Sequence, residues 1–194
     1  MSKARLEAFS DGVIAILITI MVLELKVPEG TDWAALRPLV PTLLTYALSF
    51  VFLGIYWTNH HHLLHATERI SGGVLWANLH LLFWLSLTPF VTAWMGENHR
   101  ASIPNAIYGT VLFAAGAAYW ILQRRILLIE GPGSKLAQML GRDLKGNISP
   151  LLYLVGIVFA FVNPHIADGF YVLVALMWLV PDPRIERRLQ ASAE

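Results

Sequence analysis

Apolar residues along this chain occur in long unbroken runs, not in alternating or half-polar patterns. Residues 38–67, 70–95 and 101–122 contain no Lys, Arg, Asp or Glu. Each run exceeds the roughly 20 residues that an α-helix needs to cross a hydrocarbon core about 30 Å thick. Helices satisfy their backbone polar groups internally, as lipid requires, and the runs lack the alternation of a transmembrane β-barrel. The pattern therefore predicts an all-α integral membrane protein.

Six transmembrane helices are predicted, at about residues 6–27, 38–65, 70–95, 103–128, 148–162 and 166–180. The first is expected to end before Pro28, and the turn 163–165 separates the last two. Helices 5 and 6 reach only about 22 Å at about 1.5 Å per residue, so partner helices or local bilayer thinning must accommodate them. We expect one transmembrane domain over residues 1–181 and a short charged tail over residues 182–194.

Composition agrees with a membrane protein, since 56% of residues are hydrophobic and 14% are charged, against about 25% charged in soluble domains. The chain contains no cysteine, which excludes a disulfide framework and thiolate metal sites. Asp11 interrupts the first apolar run and no small-residue cleavage site follows it. The first helix is therefore expected to stay in the protein, unlike a signal peptide.

The positive charges divide unequally between the two predicted membrane faces. The N-terminus, loops 2–3 and 4–5 and the tail hold 11 of the 14 Lys and Arg residues, and the other face holds three, Lys26, Arg37 and Arg100. By the positive-inside rule both termini are cytoplasmic. The prediction is a multi-pass protein of the cell (plasma) membrane, with the lipid bilayer as a partner and no nucleic acid.

Helix 1 has two different faces. At about 100° per residue, Ile16, Ile20 and Leu23 form one apolar ridge, and Thr19 lies about 60° from it. Asp11 lies about 140° away, on the opposite side. An apolar ridge alone is typical of lipid contact or helix packing, so its spacing does not by itself indicate a function.

Asp11 is the unusual residue of this helix, because intramembrane carboxylates are costly and mark either a functional site or a paired structural group. A position near the helix end that reaches the interface is the alternative. By the predicted topology, polar groups of helices 2 and 3 lie at a similar depth. The candidate partners of the motif around Asp11 are Trp57, His60, His61 and Asn78.

Helix 1 opens with the pattern Arg5-x-x-x-Phe9-Ser10-Asp11 and continues to Leu23-Glu-Leu-Lys-Val-Pro28. This signature resembles the transmembrane protein 175 family of potassium channels, and more specifically its prokaryotic members with one six-helix unit per chain. Trp57, His60 and His61 near the end of helix 2 support the resemblance. The similarity covers all six helices in architecture, with the motif concentrated in helix 1.

The resemblance implies a homotetramer in which helix 1 of each subunit lines a central pore. By motif alignment the pore constrictions fall at Ile16, Ile20 and Leu23, and the hydroxyl layer of the filter at Thr19. Arg5, Phe9, Ser10 and Asp11 are then not pore-lining residues but hold helix 1 against its neighbours.

The implied function is a potassium-permeable cation channel without a cofactor. The chain lacks a Thr-Val-Gly-Tyr-Gly filter, so discrimination must come from partial dehydration in a narrow apolar ring that can also gate by dewetting. We therefore expect only modest selectivity for K⁺ over Na⁺, with other monovalent cations also permeant.

A structural membrane protein without transport remains open at this point, and so do two alternatives with an activity. The first is a small proton-coupled secondary transporter in which Asp11 carries the proton. The second is a histidine-rich membrane metalloenzyme, because His61 and His65 share one helix face at i, i+4 spacing. No second histidine box accompanies that pair, so we predict that the chain is not an enzyme and binds no metal.

Overall fold

The fold is a bundle of helices, seen here in a computed structural model that describes residues 2–134, 136–137 and 144–179. The helices are α1 (Lys3–Leu23), α2 (Trp33–Leu36), α3 (Val40–His65), α4 (Gly72–Ser86), α5 (Thr88–Glu97), α6 (Ser102–Glu130), α7 (Leu144–Ala160) and α8 (Pro164–Leu179). A 3-10 turn, Arg37–Leu39, joins α2 to α3. The described ranges contain no strand.

Four helical segments are long and apolar enough to cross a membrane: Lys3–Leu23, Trp33–His65, Gly72–Glu97 and Ser102–Glu130. The helices α7 and α8 are apolar but shorter, with 17 and 16 residues in the described part of the chain. The predicted all-α fold with six helical passes is confirmed, with α4 and α5 together forming the third pass.

The third pass is not the single helix predicted over residues 70–95, because it breaks at Leu87. Pro89 lies in the first turn of α5, where it has no N–H to continue the hydrogen bonds of α4. The N–H of Leu87 instead donates to the carbonyl of Trp84 at 3.2 Å. The pass therefore consists of two helices that meet at a bend.

Other helix ends also differ from the sequence prediction. Helix α1 ends at Leu23 and not near residue 27, and Leu25 N–H closes a tight turn on the Val22 carbonyl at 3.2 Å. Helix α7 begins at Leu144 and ends at Ala160, where residues 148–162 were predicted. Helix α8 begins two residues early, at Pro164, because a fixed φ suits the first turn of a helix. Residue 180 and the predicted tail lie outside the described residues.

The core has two parts that share α3 and α6. In the first part, buried side chains of α1, α3, α4 and α6 pack together; in the second, those of α3, α5, α6, α7 and α8 do. Helix α1 packs against α3, α4 and α5, whereas α7 and α8 pack against each other and against α6. Helix α1 therefore has neighbouring helices of the same chain on only part of its surface.

Side-chain contacts identify which segments share an end of the bundle. Lys3 Nζ donates to the His65 carbonyl at 2.8 Å, and Glu130 Oε1 accepts from the backbone N–H groups of Glu68 and Arg69 at 2.9 and 3.0 Å. We call this end, where α1 begins and α3 and α6 end, the basic end. It is the face that the distribution of positive charge predicts to be cytoplasmic.

Candidate functional site

The two sides of α1 differ in how far the subunit covers them. Its buried residues repeat at helical spacing and contact the neighbouring helices: Leu6, Ser10, Ile14, Leu17 and Met21. The opposite side is uncovered in the single chain. Ile16 is 57% exposed, Ile20 39% and Leu23 80%, and Thr19 is also exposed. We call Ile16, Thr19, Ile20 and Leu23 the uncovered stripe.

The uncovered stripe is apolar apart from Thr19. The Thr19 hydroxyl donates to the Ile16 carbonyl of its own helix at 2.8 Å. A hydroxyl has one proton to donate and two lone pairs to accept with, so its oxygen keeps acceptor capacity on the exposed side. The Thr19 oxygen thus lies between the apolar side chains of Ile16 and Leu23, about one helical turn before and after it along α1.

Three buried polar side chains tie α1 to α3 and α4. Asn78 Nδ2 donates to Ser10 Oγ at 2.9 Å, and the Ser10 hydroxyl donates to the Leu6 carbonyl at 2.9 Å. His60 Nε2 lies 2.7 Å from Asn78 Oδ1 and donates to it, because a carbonyl oxygen only accepts. All three side chains are at most 1% exposed. We call Ser10, Asn78 and His60 the polar anchor.

Asp11 has a separate partner. Trp57 Nε1 donates to Asp11 Oδ1 at 3.0 Å, joining α1 to α3 one residue away from the polar anchor. The carboxylate is half-buried and Trp57 is 48% exposed. Asp11 therefore pairs with the indole among its candidate partners, while His60 reaches the motif only through Asn78. An indole N–H paired with a carboxylate lowers the cost of placing the charge in the membrane.

His61 does not join the motif. It is exposed, its ring lies 6.4 Å from the Trp57 ring between centroids, and it stacks on His65 at 5.9 Å. No group of three or more His, Cys, Asp or Glu side chains in the described part of the chain could hold a metal ion.

Arg5 and Phe9 were expected to help hold α1 in place, but the structure puts them on its exposed side. Phe9 is 51% exposed and Arg5 is also exposed. The reason is helical geometry, because each lies about 100° or more from Ser10 along the turn of the helix. In the single chain, Ser10 and Asp11 make interhelical hydrogen bonds, whereas Arg5 and Phe9 are exposed.

A further buried polar cluster, absent from the sequence prediction, braces the bundle near Met21. Thr92 Oγ1 lies 2.7 Å from Ser49 Oγ, and Ser49 Oγ lies 3.0 Å from the Tyr108 hydroxyl. Thr92 also donates to the Thr88 carbonyl at 2.6 Å. The cluster links α3, α5 and α6 behind the buried side of α1. In the sequence this cluster is indicated only by polar residues within the uncharged runs. The sequence does not show which of those residues pair.

Lys26, beyond the end of α1, pairs with a carboxylate at the end of another helix. Lys26 Nζ lies 2.6 Å from Glu97 Oε1, at the end of α5. The hydrogen bond and the charge of Glu97 raise the pKa of Lys26 above its ordinary value. Glu24 remains exposed at the C-terminal end of α1, beside the last residue of the uncovered stripe.

Taken together, these features define a helical integral membrane protein whose first helix is anchored on one side and uncovered on the other. Residues 5–89 match the family model for TMEM175, described as endosomal/lysosomal potassium channel TMEM175. The match covers α1, α3 and α4 with the signature, the polar anchor and the uncovered stripe.

Relatives and a solved structure extend the similarity over nearly the whole chain. The chain is 55% identical to potassium channel HX13_20290 of Chryseobacterium sp. (strain P1-3), over 99% of this chain and 100% of that one. It is 31% identical to potassium channel B446_29190 of Streptomyces collinus (strain DSM 40733 / Tue 365), over 91% of both chains. The crystal structure of a lysosomal potassium-selective channel TMEM175 homolog from Chamaesiphon minutus matches with a TM-score of 0.80 at 26% identity, over 91% of this chain and 96% of that one.

The chain belongs to the TMEM175 family. The relatives that match over their full length are named as channels and not as enzymes, which agrees with the prediction that the chain is not an enzyme. The human relative, named endosomal/lysosomal proton channel TMEM175, is 38% identical over 43% of this chain and 19% of that protein.

Proposed function

We propose that this protein is a potassium-permeable cation channel of the cell membrane, with helix 1 of four identical subunits lining the pore. The observation that carries the proposal is the uncovered stripe on a helix whose opposite side is firmly packed. An exposed apolar stripe on a membrane helix faces lipid, a second subunit or a hydrophobic constriction of a pore. The names of the full-length relatives favour the pore.

Ion passage is restricted by apolar rings and not by backbone carbonyls. Four copies of Ile16, Ile20 and Leu23 form hydrophobic rings around the axis, and a narrow ring of this kind opposes conduction by dewetting. The chain has no Thr-Val-Gly-Tyr-Gly segment to replace the hydration shell of an ion. Potassium loses its hydration more readily than sodium does, so the preference for K⁺ is modest. The Thr19 oxygens supply one polar layer between the rings.

The polar anchor and the Asp11–Trp57 pair keep α1 at a fixed rotation, so that the uncovered stripe faces the axis. A change of about one residue in rotation would turn the stripe by about 100° and remove the rings from the pore. Ser10 and Asp11 of the signature therefore act by setting the rotation of α1, not by contacting ions. Both termini lie on the cytoplasmic side, where the positive charges concentrate.

Single-channel recording in planar bilayers with K⁺ and Na⁺ gradients tests this proposal. Ile16→Asn should raise unitary conductance and lower the preference for K⁺, because a polar side chain wets the constriction. Val22→Asn is the matched control, since Val22 is 46% exposed on the same helix but about 120° from Ile16, and its currents should equal those of the wild type. Native mass spectrometry should show tetramers for both variants.

Three results would contradict parts of this proposal. Currents of Ile16→Asn that match the wild type would remove Ile16 from the narrowest point. A purified wild-type protein that is not tetrameric would remove the central pore. Flux that requires a proton gradient would favour the proton-coupled transporter, and because the human relative is named a proton channel, the recordings should include a proton gradient without K⁺.

A further inference from the structure

A cavity of about 390 Å³ lies between α3, α6, α7 and α8, and none of its lining residues belongs to α1. Its volume falls in the range of about 300–1,000 Å³ that is typical of ligand sites. The walls are mostly aromatic and apolar, with Phe52, Phe113 and Tyr153 among them. Neither the uncovered stripe nor the polar anchor contributes to this cavity, so the proposed pore does not account for it.

The cavity is polar at one end and apolar at the other. Asn59, Gln123 and Asn147 line it toward the basic end of the bundle. Phe52 lies seven residues before Asn59 on α3 and Phe113 ten residues before Gln123 on α6, which is about 10–15 Å deeper at about 1.5 Å per residue. The shape and polarity match a molecule with a long apolar chain and a polar head.

Positive charge lies beside the polar end. The Arg124 guanidinium carbon is 5.1 Å from the centroid of the Trp120 ring, and Trp120 lines the cavity. The cation–π contact with the Trp120 indole holds the Arg124 guanidinium beside this lining residue. The N–H groups lie in the plane of the guanidinium and stay available to a ligand. A guanidinium presents paired donors that suit phosphate oxygens.

We propose that this cavity binds one acyl chain of an anionic phospholipid, whose phosphate contacts Arg124 at the basic end. Basic pockets between transmembrane helices on the cytoplasmic side are typical sites for anionic lipid headgroups. The apolar walls exclude water and accept a hydrocarbon chain, and the amide side chains at the polar end fit the ester and glycerol region. The site is separate from the pore proposal, because its lining residues belong to α3, α6, α7 and α8 and not to α1.

Native mass spectrometry of the full-length protein in detergent, titrated with phosphatidylglycerol or phosphatidylcholine, tests the proposal. The wild type should retain more phosphatidylglycerol than phosphatidylcholine per chain. Arg124→Gln should reduce phosphatidylglycerol retention about fivefold, the effect of one basic side chain at a membrane surface, and should reduce phosphatidylcholine retention by less, because choline offsets the charge of the phosphate that the two lipids share. Arg125→Gln, which removes the same charge about 100° around the helix, should behave like the wild type.

Cavity-filling variants test the acyl-chain part of the proposal. Ala117 lines the cavity and Ala114 does not, and both are half-buried on α6. Ala117→Leu should reduce retention of both lipids, whereas Ala114→Leu should match the wild type. Gly116→Leu is the second filling variant if Ala117→Leu does not assemble, because the nearest atom to a Cβ there, the Tyr56 hydroxyl, is at an ordinary 3.6 Å.

Three outcomes of these experiments would overturn the proposal. Equal retention of the two lipids by the wild type would exclude an anionic headgroup. Equal losses in Arg124→Gln and Arg125→Gln would show a general effect of charge and not a contact at the cavity. Unchanged retention in both filling variants, with native oligomers, would place the bound lipid elsewhere on the protein.

Discussion

Replacing Asn78 by leucine is the sharpest test of how α1 is held. The leucine keeps the branched shape and the number of side-chain heavy atoms but breaks both side-chain hydrogen bonds of Asn78, to Ser10 and to His60. The broken bond to Ser10 costs little stability, because the Ser10 hydroxyl still donates to the Leu6 carbonyl. His60 loses more, because its ring is 1% exposed and its N–H would remain buried without the acceptor.

The expected loss follows from these contacts. An unsatisfied buried donor costs about 1–3 kcal/mol, while interhelical hydrogen bonds in a membrane protein average about 0.6 and reach about 1.7 kcal/mol. We therefore expect Asn78→Leu to lower the free energy of unfolding by about 1–3 kcal/mol. Removing the stranded donor as well, in His60→Leu with Asn78→Leu, should recover part of this loss, so the two substitutions are not additive.

Reversible unfolding in mixed dodecyl maltoside and SDS micelles measures both quantities in one double-mutant cycle. Asn98→Leu is the control, because Asn98 is exposed just beyond the end of α5 and its side chain donates to the Trp94 carbonyl of that helix at 3.0 Å, not to another helix. It should change the free energy of unfolding by about 0.5 kcal/mol or less. Stability of Asn78→Leu within about 0.5 kcal/mol of the wild type, or additivity within about 0.3–0.5 kcal/mol, would refute the argument that the polar anchor holds α1.

Three further substitutions test other contacts. Gly109→Ala should lower the free energy of unfolding by about 1–3 kcal/mol in the same micelle assay, because its Cβ would overlap a fully buried tyrosine ring of α8. Gly54→Ala, which meets nothing within 4 Å, should be neutral or stabilising, and equal losses in both would contradict the packing argument. Glu130→Ala, but not Glu130→Gln, should speed amide hydrogen exchange in the α3–α4 loop, because only the glutamine keeps a side-chain acceptor; identical exchange in the two would exclude this contact. Trp57→Phe should weaken the proposed tetramer on native gels, since Asp11 loses its donor; an unchanged oligomer would make this pair dispensable.

The uncharged runs by themselves determined the helical membrane fold, because lipid permits few ways to satisfy a backbone. Periodicity also determined which residues of α1 share a side, since a turn of about 100° per residue places Ile16, Ile20 and Leu23 together wherever the helix packs. The motif at the start of α1 identified the family. These features depend on local sequence alone, and the structure and the comparisons agree with them.

The tertiary structure decided which neighbour each polar side chain meets. Four partners were candidates for the motif, and the fold gave Asn78 to Ser10, Trp57 to Asp11 and His60 to Asn78, leaving His61 outside. It also turned Phe9 to the exposed side. The spacing of residues along one helix determines the direction in which each side chain points. It does not determine the rotation and depth of the neighbouring helix. Only packing sets those, because each interhelical hydrogen bond requires both helices to be in register.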